Sequence, residues 1–492
     1  MEKDLLGELP VPVDAYYGIH TLRAAANFPV SDQKVHPELI RALALVKQAA
    51  AQANVEAGLL KPEIGQAIIR AATEVARGEL ADQFIVDPLQ GGAGTSTNMN
   101  MNEVLANRAI ELLGGNKGDY HLVSPLDHVN LSQSTNDTYP TAVRVAAIRL
   151  LRPLTDAFAT LQAALQAKEA EFGGIIKLGR TQLQDAVPIT LGQEFSAWAE
   201  AVARDRWRLY KMEERLRQVN LGGTAVGTGL DADRRYVFTV VEKLRELTGL
   251  GLARAENTVD PTQNADVFVE VSGLLKAGAV TLAKMSGDMR LLASGPAGGL
   301  GEIRLPQRQA GSSIMPGKVN PVMAEMLTQV AYQVMGSDLT ITLAAQAGQL
   351  ELNAFLPLIA HHLLTSMSIL TRALYLFTER CVQGITADPE RCRELLEYSD
   401  GLATALVPHI GYVAACDLVK ESRTGRRPLP QLVKEKGLLP PDHLEAILNP
   451  AELTRPGIPG THRKRPAAVQ VGPKEGDGGE KGVAHERPHP PQ

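Results

Sequence analysis

"TAVRVAAIRLLRPLTDAFATLQAALQAKEAEF", residues 141–172, decides the fold. Apolar residues recur at helical spacing through the whole stretch, and only Pro153 interrupts it, where a kink is predicted. Helices of this length are unusual in small domains and belong to bundles. Four more patterns of the same kind follow. One runs from about Thr190 to Val219 and another from about Asn264 to Ser294, and two share residues 321–383, divided near Gly348 or Pro357. Some carry apolar residues around most of the circumference, as "AGAVTLAKMSGDMRLLAS" does, so one bundle is expected to pack against others.

Outward from the bundle the pattern changes. Residues 1–135 read as an N-terminal, mixed but mainly helical domain, in which "HPELIRALALVKQAAAQANVEAGLL" is a helix that Gly58 can end. Residues 136–395 hold the long helices, and 396–462 form a small C-terminal helical domain broken at Gly437 and Pro440–Pro441. Residues 463–492, rich in Gly, Pro and charge, are predicted to be a disordered tail. The fold class is mainly α, with a central bundle of long helices.

Composition narrows the function. Aromatics are 4% of the 492 residues and the net charge is −5, which gives no reason to expect nucleic acid or an anionic membrane as partner. No apolar run is long enough to span a bilayer. The three cysteines (Cys381, Cys392 and Cys416) lack paired spacing and fit a reducing compartment, so a cytoplasmic protein is expected. No metal-binding signature is present, and the neighbouring His361 and His362 point in different directions on a helix. Neither a metal nor a cofactor is expected.

Four polar clusters stand before predicted helices: "GGAGTSTNMN" (91–100), "SQSTND" (132–137), "GRTQLQDAVPIT" (179–190) and "GSSIMPGKVNP" (311–321). The last resembles a phosphate loop, but five residues separate Gly311 from Gly317, and Val319 follows Lys318 where a metal-binding hydroxyl is needed. Plain helix capping, with Asn320 as N-cap and Pro321 as first residue of the last helix, accounts for any one cluster. Four clusters with more hydroxyls and amides than a cap can use point to an anion pocket at converging helix N-termini. With Lys318 added and no carboxylate inside the Ser312 loop, that pocket suits a small molecule bearing more than one carboxylate. "GGTAVGTG" (222–229) reads as a tight interhelical turn at its margin.

These motifs, in order with "DLLGELPVPVDAYYGIHTLRAAANF" and over residues 3–460, resemble the fumarase/aspartase superfamily. "DAYYGIHTLRA" is nearer its aspartase branch, and Ser124-Pro125-Leu126-Asp127 lacks the accessory-site pattern of fumarases. The resemblance implies a three-domain subunit in a homotetramer built around a helix-bundle core, with active sites shared between subunits. It implies a reversible anti-elimination of ammonia from L-aspartate to fumarate through an aci-carboxylate. By motif matching Ser312 is the general base that takes the C3 proton. Lys318, Asn320 and Thr181 hold the α-carboxylate; Thr95, Ser134, Thr135 and Ser313 surround the β-carboxylate; Asn136 lies near the amino group. Many members have Thr-His where this chain has Thr181-Gln182, and that histidine pairs with a glutamate matching Glu325; Gln182 is expected at the substrate and Glu325 in support. Val407 also departs from the family pattern, in the C-terminal region. Fumarate hydratase is the nearest alternative. Argininosuccinate or adenylosuccinate cleavage and a catalytically silent relative are further ones.

Overall fold

The structure, a computed structural model, describes residues 1–461. The tail expected at 463–492 lies outside the described residues.

The first helices are α1 (Ile19–Asn27), α2 (Pro37–Glu56), α3 (Pro62–Ala76) and α4 (Thr95–Leu112). The long ones follow: α5 (Thr135–Glu171), α6 (Leu191–Leu216), α7 (Arg234–Thr248), the single turn α8 (Asp260–Gln263), α9 (Asp266–Leu292), α10 (Val322–Gln346) and α11 (Leu356–Arg380). Strands occur only in pairs. β1 (Glu2–Asp4) and β2 (Gly7–Leu9) form an N-terminal hairpin, and β3 (Ile176–Thr181) pairs with β4 (Gln184–Thr190). β5 (Gln218–Val219) runs parallel to β6 (Ala253–Arg254), and β7 (Ile303–Arg304) runs antiparallel to β8 (Thr386–Ala387).

Packing divides the chain into two compact units. One contains residues 1–178 and 189–396; the other contains 179–188 with the residues from Glu397 onward. α2 is buried against α5 and α7, and residues 1–135 share one unit with 136–178 and 189–395. The second unit holds short helices: α13 (Ala403–Ile410), α14 (Tyr412–Gly425), α15 (Leu429–Glu435), α16 (Pro441–Ile447) and α17 (Pro450–Leu453), after α12 (Pro389–Glu397) at the junction.

At 37 residues α5 is about 55 Å long. Its fully buried Leu154, Phe158, Leu161 and Leu165 join the core, each contributing roughly 1.5–3 kcal/mol of apolar burial. The helix begins six residues before its predicted start and runs through both Pro140 and Pro153. Pro140 has no N–H to give the carbonyl of Asn136 four residues back, and the Asn220 side-chain amide donates to that carbonyl at 2.9 Å instead.

Side-chain pairs fix the helix directions in the first unit. α9 and α10 are antiparallel: Ser272 bonds Asp338 at 2.9 Å, Ser286 meets Thr328 at 2.9 Å, and Arg290 lies 3.9 Å from Glu325. α5 and α9 are parallel: the Arg144 guanidinium lies over the Phe268 ring at 5.1 Å, and Gly278 packs against Phe158. The start of α10 therefore lies toward the C-terminal end of α5, about 37 Å along the bundle from the end of α10 beside α8.

Candidate active site

The Ser312 loop shapes itself. The Gly311 N–H donates to the Lys318 carbonyl at 2.8 Å, and the Asn320 side-chain amide donates to the Gly311 carbonyl at 2.8 Å. A Cβ on Gly311 would stand 2.8 Å from both the Asn320 nitrogen and the Lys318 oxygen, so only glycine closes the base of the loop. Across the turn, Ser312 Oγ accepts the backbone N–H of Ile314 at 3.2 Å and of Met315 at 2.9 Å. Two amides on one hydroxyl oxygen stabilise the negative charge of an alkoxide, which is what a serine needs to act as a base. Ser313 and Lys318 are exposed beside it. Asn320, expected as N-cap, spends its amide on Gly311, and the cap position is Pro321, with α10 starting at Val322.

The Thr95 and Ser134 clusters meet in the same unit. Gly94, with φ of 97°, packs against the ring of Tyr139 on α5, where a Cβ would approach to 2.5 Å. Asn98 on α4 lies 3.4 Å from Thr138 on α5. Thr95 opens α4 and is exposed; Ser134 caps α5 and is half-buried; Thr135 is buried. Several of the helix amides expected to be free here are already paired. Ser134 and Asp137 form a capping box over the first turn of α5, and on α4 the Thr95 and Thr97 amides bond Gly92 and Gln90. Because its oxygen already accepts amide protons, the Ser134 hydroxyl is left to donate outward. Asn136 points its amide to the Ala225 carbonyl at 2.7 Å, binding the 222–229 loop to the helix start.

Residues 179–190, expected as a polar cluster before a helix, fall in the β3–β4 hairpin, where Val187 and Ile189 favour strand. Its two-residue turn is Gln182–Leu183, both in the left-handed region with φ of 54° and 60°. Thr181 ends β3, and both Thr181 and Gln182 are exposed in the second unit. Thr190 caps α6.

The structure does not bring all the expected residues together. The Ser312 loop and Glu325 sit at one end of the bundle, and Thr95, Ser134, Thr135 and Asn136 at the other. Among the described residues the recorded hydrogen bonds of the loop side chains Ser312 and Asn320 are internal to the loop. The described residues contain no group of three or more His, Cys, Asp or Glu side chains able to hold a metal, and no helix long and apolar enough to cross a membrane.

Beneath the Ser134 cluster lies a polar layer that sequence reading missed. Asn130 Oδ1 accepts from Lys47 at 3.0 Å and from Asn98 and Asn102 at 3.1 Å each. Lys47 and Asp137 are both fully buried. Burial pushes the Lys47 ammonium down to about 7 and the Asp137 carboxyl up to about 6, each opposed by the charge of the other. The only signal in the sequence is a lysine inside the apolar face of α2.

Comparison with known proteins adds independent findings. A family model described as "Lyase" matches residues 7–336, and one described as "Fumarase C C-terminus" matches 402–455. The chain is 52% identical over 460 residues to an aspartate ammonia-lyase of Bacillus sp, covering 94% of this chain and 98% of that one. It resembles a solved fumarate lyase:delta crystallin from Brucella melitensis, bound to cobalt, with TM-score 0.90 and 50% identity over 92% of this chain and 99% of the other. A class II fumarase from Schistosoma mansoni has TM-score 0.87 at 36% identity, covering 92% and 98%.

Proposed function

The chain belongs to the fumarase/aspartase superfamily of lyases, and from that premise we propose that it deaminates L-aspartate reversibly to fumarate. The observation that carries the reading is the pair of amides on Ser312 Oγ, in a loop with a lysine and no carboxylate. As alkoxide, Ser312 takes the C3 proton, and the electron pair of the C–H bond moves into the β-carboxylate as an aci-carboxylate. Thr95, Ser134, Thr135 and Ser313 donate to that doubly charged group. Collapse forms the C2–C3 double bond, and ammonia departs with the electrons of the C–N bond. Because the substrate amine is already an ammonium ion, it needs less help from an acid than hydroxide would, consistent with Gln182 in place of the histidine. Lys318, Asn320 and Thr181 hold the α-carboxylate, Asn136 stands near the amino group, and Glu325 supports the loop.

The separation along the bundle supports a site shared between subunits. One chain holds Ser312 and Ser134 at opposite ends of its long helices, so a pocket containing both needs at least two chains. A homotetramer meets this, with the exposed apolar side chains of α10 (Tyr332, Leu339 and Leu343) in contact between subunits. Fumarate hydration is the second reading, favoured by the Schistosoma mansoni likeness. Following fumarate by its ultraviolet absorbance, with L-aspartate and L-malate supplied separately, separates them. Turnover with aspartate alone is expected, and malate turnover matching or exceeding it refutes the proposal.

A further inference from the structure

The start of α5 is held by more than its own capping box. Asp137 Oδ1 accepts the Ser134 N–H at 3.0 Å, while Oδ2 accepts the N–H of Gly222 at 2.9 Å and of Thr224 at 3.2 Å. Asn220 donates to the Asn136 carbonyl, and Asn136 donates to the Ala225 carbonyl. Four hydrogen bonds thus bind residues 134–137 to 220–225, and a single fully buried carboxylate makes two of them, besides its bond to Ser134 within the helix start.

We propose that Asp137 is a positioning residue for the dicarboxylate substrate: by clamping the 222–229 loop onto the start of α5, it sets the orientation of Ser134, Thr135 and Asn136. The inference rests on the proposed function and deepens it. Asp137 faces the substrate only through those three residues. A carboxylate is the group suited to this place, since it alone offers two acceptor oxygens to three converging N–H donors. An amide must turn its NH2 toward at least one of them. The charged and titratable groups facing Asp137 are Lys47 on α2, whose ammonium opposes its charge, and Tyr236 on α7, whose hydroxyl is kept neutral by burial first and by the Asp137 charge second. With Lys47 behind it, the carboxylate binds the loop without presenting a net negative charge to an incoming dianion.

Ser134 and Thr135 donate to the bound carboxylate and, in the proposed reaction, to its doubly charged form, so loosening their segment weakens binding and slows chemistry together. In Asp137→Asn, KM for L-aspartate is expected to rise about ten-fold or more, with kcat falling as well. Asp137→Glu, which keeps both acceptor oxygens, is expected to recover part of the affinity, which a loss of packing alone does not predict. Hydrogen exchange at Gly222 and Thr224 reads the clamp without reference to turnover, and both amides are expected to lose protection in Asp137→Asn.

The wild-type enzyme is assayed first. If it does not release fumarate from aspartate, the functional reading fails, whereas the clamp is still judged by exchange. Unchanged KM in Asp137→Asn, or a fall in kcat with KM constant, overturns the positioning role, and unchanged protection overturns the clamp. Where Asp137→Asn does not fold, Asn220→Ala carries the test. It severs the same loop from the carbonyl of Asn136 without removing a charge, and is expected to raise KM in the same direction. Unchanged KM there overturns the proposal.

Discussion

Mixing two inactive variants should restore activity. Thr135→Ala removes a proposed substrate donor at the start of α5, and Ser312→Ala removes the proposed base from the loop before α10. α10 spans 25 residues, so the two sites in one chain are separated by about 37 Å along the bundle, several times the length of a four-carbon diacid. No hinge within α10 closes that gap, since the helix is held to α9 at Asp338, Thr328 and Glu325 along its length. If each pocket takes Thr135 from one chain and Ser312 from another, random assembly of equal amounts gives an intact pair in about one site in four. The variants are unfolded together, reassembled and assayed for fumarate release, with subunit exchange verified by mass-tagging one variant. Activity near a quarter of wild type is expected, and each variant reassembled alone stays inactive. A mixture no more active than its components, with exchange demonstrated, refutes the shared pocket.

Three further outcomes follow from single residues. Ser312→Ala is expected to lower kcat by about 10³-fold or more while a competitive dicarboxylate still binds, because it removes the proton acceptor and leaves the donors; near-normal turnover refutes the assignment. Gly311→Ala forces apart the Asn320 nitrogen and Lys318 carbonyl, so kcat is expected to fall about 10²-fold as the Ser312 amides move. Its melting temperature changes little, since the loop is largely exposed, and a large drop in melting with normal kcat contradicts this. The third concerns acid. His36 caps α2 by accepting the Glu38 N–H at 3.1 Å, and burial holds its pKa down to about 4. The unfolded chain takes up this proton near pH 6.5 and the folded chain only near 4, so this stability is present above 6.5 and lost as pH falls toward 4, by roughly 3 kcal/mol. His36→Asn, a cap that does not titrate, should flatten the fall in melting temperature between pH 6.5 and 4.5; an unchanged slope refutes the attribution.

The helices were legible because their pattern is local. Apolar spacing over 141–172 needs no knowledge of distant partners, and the observed helix contains the whole stretch but its last residue, Phe172. The start of α5 was not legible, because Pro140 ends a helix unless something replaces the missing donor, and the replacement, Asn220, comes from another segment. The 179–190 hairpin was hidden for a related reason: neither Gln182 nor Leu183 is a turn residue by composition, yet both take positive φ. Candidate site residues were named from four clusters, but where the fold places them was not legible. That depends on helix direction, which only contacts such as Ser272–Asp338 and Arg144–Phe268 establish. The buried layer under α5 was missed because a lysine, an asparagine and an aspartate scattered over ninety residues look like solvated surface until the fold encloses them.

The asparagine that stands in for the missing proline donor also bears on the order in which the chain acquires structure. Asn136 and Asn220 are 84 residues apart, and their hydrogen bond forms only after α6 has returned along α5. Until then the Asn136 carbonyl lacks a partner, although α5 and its local capping box can wind within a microsecond or so. The anchoring of the candidate-site end of the helix is thus a late event in folding, dependent on a long loop closure that slows nonlocal contacts generally. A chain stalled before residue 220 has the body of its longest helix and an Asn136 carbonyl without its partner.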